Sequence, residues 1–153
     1  MHVPHISDVN FYNNNLSQEN LFKFQSDAIR HAAEEDSCVF VGRCADYILR
    51  DRDNVVNVFI TADTDCRIRR ICERNGCDAD TARKIIEKGD RDRATYYNYY
   101  TGKTWGHSES YDLCINSSRL GLERTEEYIR EFVKQSLKNP PKNPPQPSQR
   151  EGA

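Results

Sequence analysis

Residues 38–61 read CVFVGRCADYILRDRDNVVNVFIT, two apolar runs with a polar connection between them. The runs, 38–41 and 55–61, are continuous rather than alternating, which predicts short strands buried on both faces. Gly42-Arg43 ends the first run, and a short helix over about 45–50 occupies the connection. A third run, Leu113-Cys114-Ile115, repeats the pattern downstream. Helical periodicity surrounds these strands. Leu21, Phe24, Ala28, Ile29 and Ala32 recur at three- and four-residue spacing, with Ser17 placed to cap them. Ile68 and Ile71 lie on a helix leading to the turn at Asn75-Gly76. Asp80 is placed to cap a long helix that carries Ala82, Ile85, Ile86 and Gly89 toward Tyr100 and stops at Gly102. Ile129, Phe132 and Val133 mark a final helix over about 122–137. The order α-β-α-β-α-α-β-α with such apolar strands predicts an α/β fold, a parallel sheet with helices on both faces.

Domains hold roughly 100–200 residues, so a chain of 153 residues predicts one core rather than two. Apolar residues are 37% and charged residues 30%, below ordinary burial capacity but above the disordered class. Much of that polarity is terminal. Residues 138–153, KNPPKNPPQPSQREGA, hold five of the six prolines and no large apolar side chain, which predicts a disordered tail. Residues 1–16 read as an irregular N-terminal stretch, leaving 17–137 as the domain. Between Pro4 and Pro140 there is no proline, as expected of one body with no internal linker.

The 22 basic and 24 acidic residues give a net charge of −2, which argues against whole-surface capture of nucleic acid or of an anionic membrane. No apolar run approaches the about 18 residues of a membrane span, and MHVPHISDVNFYNNN has neither a basic nor an apolar leader segment. The expectation is a cytoplasmic protein. The six cysteines form no Cys-x-x-Cys pair, and several enter apolar runs as small hydrophobes do, so neither a metal site nor a disulfide framework is expected.

In open parallel sheets ligands bind beyond the carboxyl ends of the strands. That rule selects Gly42-Arg43, Thr61-Ala62-Asp63 and Asn116-Ser117-Ser118. Arg43 there can present a planar fork of donors to a phosphate, or be a surface arginine after a tight turn. From Arg67 to Arg93, nine basic residues stand against six acidic ones. This density suits a solvated helix laced with ion pairs, and equally an arginine-rich lid closing over phosphates. Asp90 and Arg93 are three apart on one helix face with Tyr97 a turn beyond, a polar stripe able to face a ligand. Four tyrosines within 96–100 either line a cleft or pack a helix end. The four histidines show no ligand spacing. Gly102-Lys103-Thr104 imitates the end of a phosphate-binding loop, but Tyr97 stands where the loop's first glycine belongs and a helix precedes it where a strand is required.

The stretches CVFVGRCADYIL (38–49), VVNVFITAD (55–63), DRDRATYYNYYTGKTWG (90–106) and YDLCINSS (111–118) together resemble the cytidylate kinase-like family, nucleoside monophosphate kinases of the P-loop class. The resemblance implies transfer of the γ-phosphoryl group of ATP to CMP or dCMP with Mg²⁺. It implies that Arg43 contacts the monophosphate, and that Asp90 and Arg93 form the D-x-x-R element holding the nucleotide and its phosphate, with Tyr97 alongside. Arg70 and Arg74 fall in a mobile lid region, about 64–106, where arginines approach the transferring phosphate, so Arg70, Arg74 and Arg93 are the implied catalytic arginines. Better characterised members place an acidic residue directly after the glycine-arginine pair, whereas Cys44-Ala45 precede Asp46 here, leaving the base open. The family begins with a strand, a glycine-rich phosphate loop, a helix and a second strand. The runs seen here correspond to the third, fourth and fifth strands of a 2-3-1-4-5 sheet, so the expected fold is P-loop kinase-like but missing its first two strands. Two readings follow: an acceptor-and-lid portion, inactive alone and completed by an N-terminal segment, or a non-catalytic descendant that binds a nucleotide or a protein.

Overall fold

The computed structural model describes the backbone of residues 11–139 and side chains from Ser17 onward. The expected irregular stretch over 1–10 and the proline-rich tail over 140–153 lie outside the described residues. The chain divides between Leu49 and Arg50 into two compact units instead of the single core expected.

The first unit holds helix α1 (Phe11–Glu35) and the short helix α2 (Ala45–Ile48). Ser17 lies inside α1 rather than capping it, because serine's preference for caps is weak beside the propagation of an established helix. Ser26 is buried within α1 and satisfies its hydroxyl by donating to the Phe22 carbonyl at 2.8 Å. Of the expected apolar face, Ile29 and Ala32 are half-buried, while Leu21 and Phe24 are exposed.

The expected strand over 38–41 does not form. The segment joins no ladder among the described residues, and Val39 and Val41 are 93% and 90% exposed. Apolar composition makes a strand possible, but a strand exists only where a neighbour accepts its backbone hydrogen bonds. After this segment Gly42, Arg43 and Cys44 are all left-handed, at φ of 70°, 58° and 56°. The Cys44 carbonyl accepts from Tyr47 and Ile48, which starts α2. Cys44, Ile48 and Leu49 are buried here.

The second unit holds β1 (Val58–Thr61), α3 (Thr64–Asn75), α4 (Ala79–Thr101), a 3₁₀ turn (Ser108–Ser110), β2 (Leu113–Asn116) and α5 (Ser117–Lys138). β1 and β2 pair in parallel, Val58 opposite Leu113 and Thr61 opposite Asn116, with the connection supplied by the α3–α4 hairpin. α5 packs against both strands. The fold class is therefore α/β and largely helical, with a small two-stranded parallel sheet among the described residues. Ile60 is 55% exposed, so β1 is not enclosed on both sides as its apolar run suggested.

Local chemistry explains the hairpin. Gly76 closes α3 in the left-handed conformation, φ 62°, which glycine adopts without a Cβ penalty. Asp78, not Asp80, caps α4: its carboxylate accepts from the Thr81 N–H at 2.7 Å, leaving Asp80 in the first turn, where its charge complements the helix dipole. Gly102 ends α4 as expected. Within α5, Gly121 breaks the helical geometry, so the longer arm begins at Leu122, where the periodicity placed it. No helix among the described residues is long and apolar enough to cross a membrane.

Candidate functional site

At the carboxyl ends of the two strands, short polar side chains lock the chain to itself. Asn116 donates to the Asp63 carboxylate at 2.8 Å, the Asp63 N–H donates to the Ser118 hydroxyl at 2.8 Å, and the buried Ser117 donates to the Thr61 carbonyl at 3.0 Å. The Asn116 side-chain oxygen Oδ1 accepts the Ser118 N–H at 2.9 Å, capping the start of α5. These residues were selected by position as ligand contacts, and much of their hydrogen-bonding capacity serves the junctions β1–α3 and β2–α5.

Side chains able to meet an anion gather one layer out, between α3 and α4. Arg67 on α3 grips Asp90 on α4 with both guanidinium nitrogens, Nη1 to Oδ2 at 2.8 Å and Nη2 to Oδ1 at 2.7 Å. Arg93, one turn along α4, donates to the same Oδ1 at 3.3 Å. Hydrogen bonding to Asp90, opposed by partial burial and reinforced by its charge, pushes the Arg67 guanidinium further above its ordinary range. The side chains of Arg67 and Asp90 are 33% and 29% exposed, whereas that of Arg93 is 62% exposed. The carboxylate is thus fixed from α3, while the Arg93 fork faces solvent with spare donors. Gly89 makes room for it: a Cβ there would meet Arg93 Nη1 at 3.1 Å.

The D-x-x-R pair was legible from the sequence; Arg67 was not. It belongs to the same three- and four-residue stripe as Arg70 and Arg74, and only the hairpin register decides which of the three reaches Asp90. Arg70 is exposed, and Arg74 donates to Asn75 at 3.2 Å beside the turn. At 1.5 Å rise per residue, Arg74 lies about 10 Å along α3 from Arg67. Arg74 therefore belongs to the tip of the hairpin and Arg67 to the ion cluster. Elsewhere on α4, Lys88 and Asp92 form an exposed i,i+4 pair of the solvated kind. Tyr97 is buried, and its carbonyl accepts from Thr101 at 2.7 Å.

Arg43 lies in the first unit, on the left-handed turn. Two consecutive non-glycine residues in that conformation cost roughly 1–2 kcal/mol each, and they hold the Arg43 side chain exposed beside a buried neighbour. Burial, then Asp46, pushes the Cys44 thiol up to about 11, partly offset by Arg43, so this cysteine is an inert anchor for the turn.

The tyrosine-rich run and its sequel form a packed loop. Tyr96 and Tyr99 both meet Tyr100, with centroids 4.8 and 4.9 Å apart. Phe59 of β1 takes Trp105 edge-on at 5.4 Å and Tyr111 at 4.9 Å. Gly106 fits beneath that ring at φ 77°, where a Cβ would meet Phe59 at 3.1 Å. Gly102-Lys103-Thr104 is thus the exit of a helix toward an aromatic anchor, the opposite of a phosphate loop's strand–loop–helix order. Among the described residues no three His, Cys, Asp or Glu side chains gather to hold a metal ion. Gly102-Lys103-Thr104 does not serve as a phosphate loop for ATP.

The model of the cytidylate kinase-like family matches residues 3–119. A cytidylate kinase of Methanoculleus marisnigri (strain ATCC 35101 / DSM 1498 / JR1) is 28% identical over 113 residues, covering 74% of this chain and 60% of the relative. A crystal structure of an uncharacterized protein from Eubacterium ventriosum ATCC 27560 superposes with a TM-score of 0.72 at 35% identity, over 74% of this chain and 65% of that one. The chain thus spans less than two thirds of the length of either relative.

Proposed function

This chain belongs to the cytidylate kinase-like family, and from that premise we propose that it binds a nucleoside monophosphate, CMP or dCMP, through the face carrying Asp90 and Arg93. The observation that carries the reading is the Arg67–Asp90–Arg93 cluster. Arg67 holds the carboxylate from a second helix, and Asp90 steadies an exposed arginine whose free donors match a phosphate. Asp90 offers acceptors to the sugar or base, and Tyr97 beneath the stripe keeps α4 seated. The family resemblance supports Arg70 and Arg74, further along α3, as arginines that approach the transferring phosphate.

ATP and Mg²⁺ are the co-reactants the family uses, and no step through them is assigned to this chain's residues. Phosphoryl transfer depends on positioning and charge stabilisation, and the part that would cradle the donor phosphates is not among the residues described. The chain alone is then an acceptor-and-lid portion that binds without turning over. A complementing strand and phosphate loop, on another segment or chain, would restore transfer. Support for this comes from Ile60 on β1, 55% exposed, an apolar position of the kind a further strand or helix covers. The alternative, a binding descendant without catalysis, predicts the same CMP affinity and no gain on complementation.

Titration calorimetry with CMP tests the reading. Saturable binding is expected, and Arg93→Ala should weaken it about tenfold or more, the loss of one charge-assisted contact of ~1.5–3 kcal/mol, with the thermal unfolding midpoint little changed. Equal CMP affinity for the two proteins would remove Arg93 from the site, and no binding by either would remove the site itself.

A further inference from the structure

The turn that joins α3 to α4 carries a cysteine on each side. The Cys72 carbonyl accepts the Gly76 N–H at 2.8 Å and the Cys77 N–H at 3.3 Å, the six-to-one closure that folds the residue after the left-handed glycine back over the last helical turn. Such closures frequently bring together the side chains at their two ends. Both cysteines are free and half-buried, and the Cys77 thiol also lies 3.9 Å from the Ile71 carbonyl. We propose that Cys72 and Cys77 form a redox-active dithiol at the tip of the hairpin, closing reversibly to an intramolecular disulfide under a peroxide oxidant.

The proposal does not depend on nucleotide binding. Burial, followed by the charge of Cys77 and a hydrogen bond with it, pushes the Cys72 thiol up, consistent with two sulfurs in mutual contact. The chemistry balances with hydrogen peroxide. One thiolate attacks the peroxide, the O–O bond breaks, and a sulfenic acid and hydroxide result. The second thiol then attacks that sulfur, and the sulfenic oxygen leaves with a proton as water. Two thiols and one peroxide give one disulfide and two waters. The bond spans Gly76 and ties the end of α3 to the residue before the α4 cap, so it restricts the turn about which the hairpin's helices are set.

Sequence makes the test direct, because Arg74 lies between the two cysteines and trypsin separates them into peptides 71–74 and 75–83. The full chain is treated with hydrogen peroxide, remaining thiols are alkylated, and the protein is digested without reduction. The two peptides should travel as one linked species lighter by two hydrogens than their sum, released by dithiothreitol and missing from Cys72→Ser and Cys77→Ser. Gly76→Val keeps both thiols but disfavours the left-handed turn, and should lower the linked yield several-fold. Three results would overturn the proposal: both cysteines remaining alkylatable while Cys66 is oxidised, linkage only between molecules, or full linkage in Gly76→Val. Cys66 is the natural competitor, since hydrogen bonds from Ser118 and Arg69 pull its thiol below the ordinary range.

Discussion

The α3–α4 hairpin and the segment 38–44 are both short, and their sequences look equally decisive, yet they end in opposite states. In the hairpin, Gly76, the Asp78 cap and the Arg67–Asp90 grip are made by residues within one antiparallel pair. In the segment, an apolar run meets no ladder among the described residues and stays exposed, while the three residues after it adopt a strained left-handed turn. Structure built from neighbouring residues completes itself. A strand forms only where a partner takes up its backbone hydrogen bonds.

The contrast can be broken most strongly at Ala82, fully buried on α4. Ala82→Leu should destabilise the protein by about 1–3 kcal/mol through overpacking, read by urea unfolding followed by far-ultraviolet circular dichroism. An unchanged midpoint would mean that the hairpin is not a packed unit. A smaller effect is expected from acid. Hydrogen bonds from the Thr81 hydroxyl and then its N–H hold the Asp78 carboxyl below the usual aspartate range. A depressed folded pKa means that the cap's contribution is present above about pH 3.9, the unfolded value, and fades as pH falls through the folded one. The stability advantage of wild type over Asp78→Ala should therefore be constant near neutrality and shrink in acid; an advantage independent of pH would show that the carboxylate charge is not what caps α4. The smallest change is expected at Val39. Val39→Ser should shift stability by no more than about 0.5 kcal/mol, as for an exposed position. A loss several times larger would place the side chain in a core and erase the contrast.

Residues were legible in proportion to how local their constraints are. The turn at Gly76, the stop at Gly102, the break before Leu122 and the Asp90–Arg93 stripe all follow from helical spacing and glycine chemistry. Ser17 and Asp80 misled because serine and aspartate are acceptable at several positions near a helix start, so the competing choice at Asp78 was decided by which carboxylate reaches a free N–H. Arg67, Arg70 and Arg74 are equivalent by spacing, and their separation into a partner of Asp90 and a residue of the hairpin tip rests on register. Cys72 and Cys77 looked like small core fillers because no spacing rule marks a helix-ending closure as a meeting of thiols.

By itself the sequence determined the family, the α/β class, the helical hairpin and the identity of the charged stripe, since each is written in short-range periodicity or in residue types at fixed offsets. Tertiary structure alone decided that β1 and β2 pair as a sheet, that Arg67 is the partner of Asp90, and that Val39 and Val41 remain exposed. Backbone hydrogen bonds and ion pairs join residues far apart in sequence, and no single segment carries the geometry of its partner.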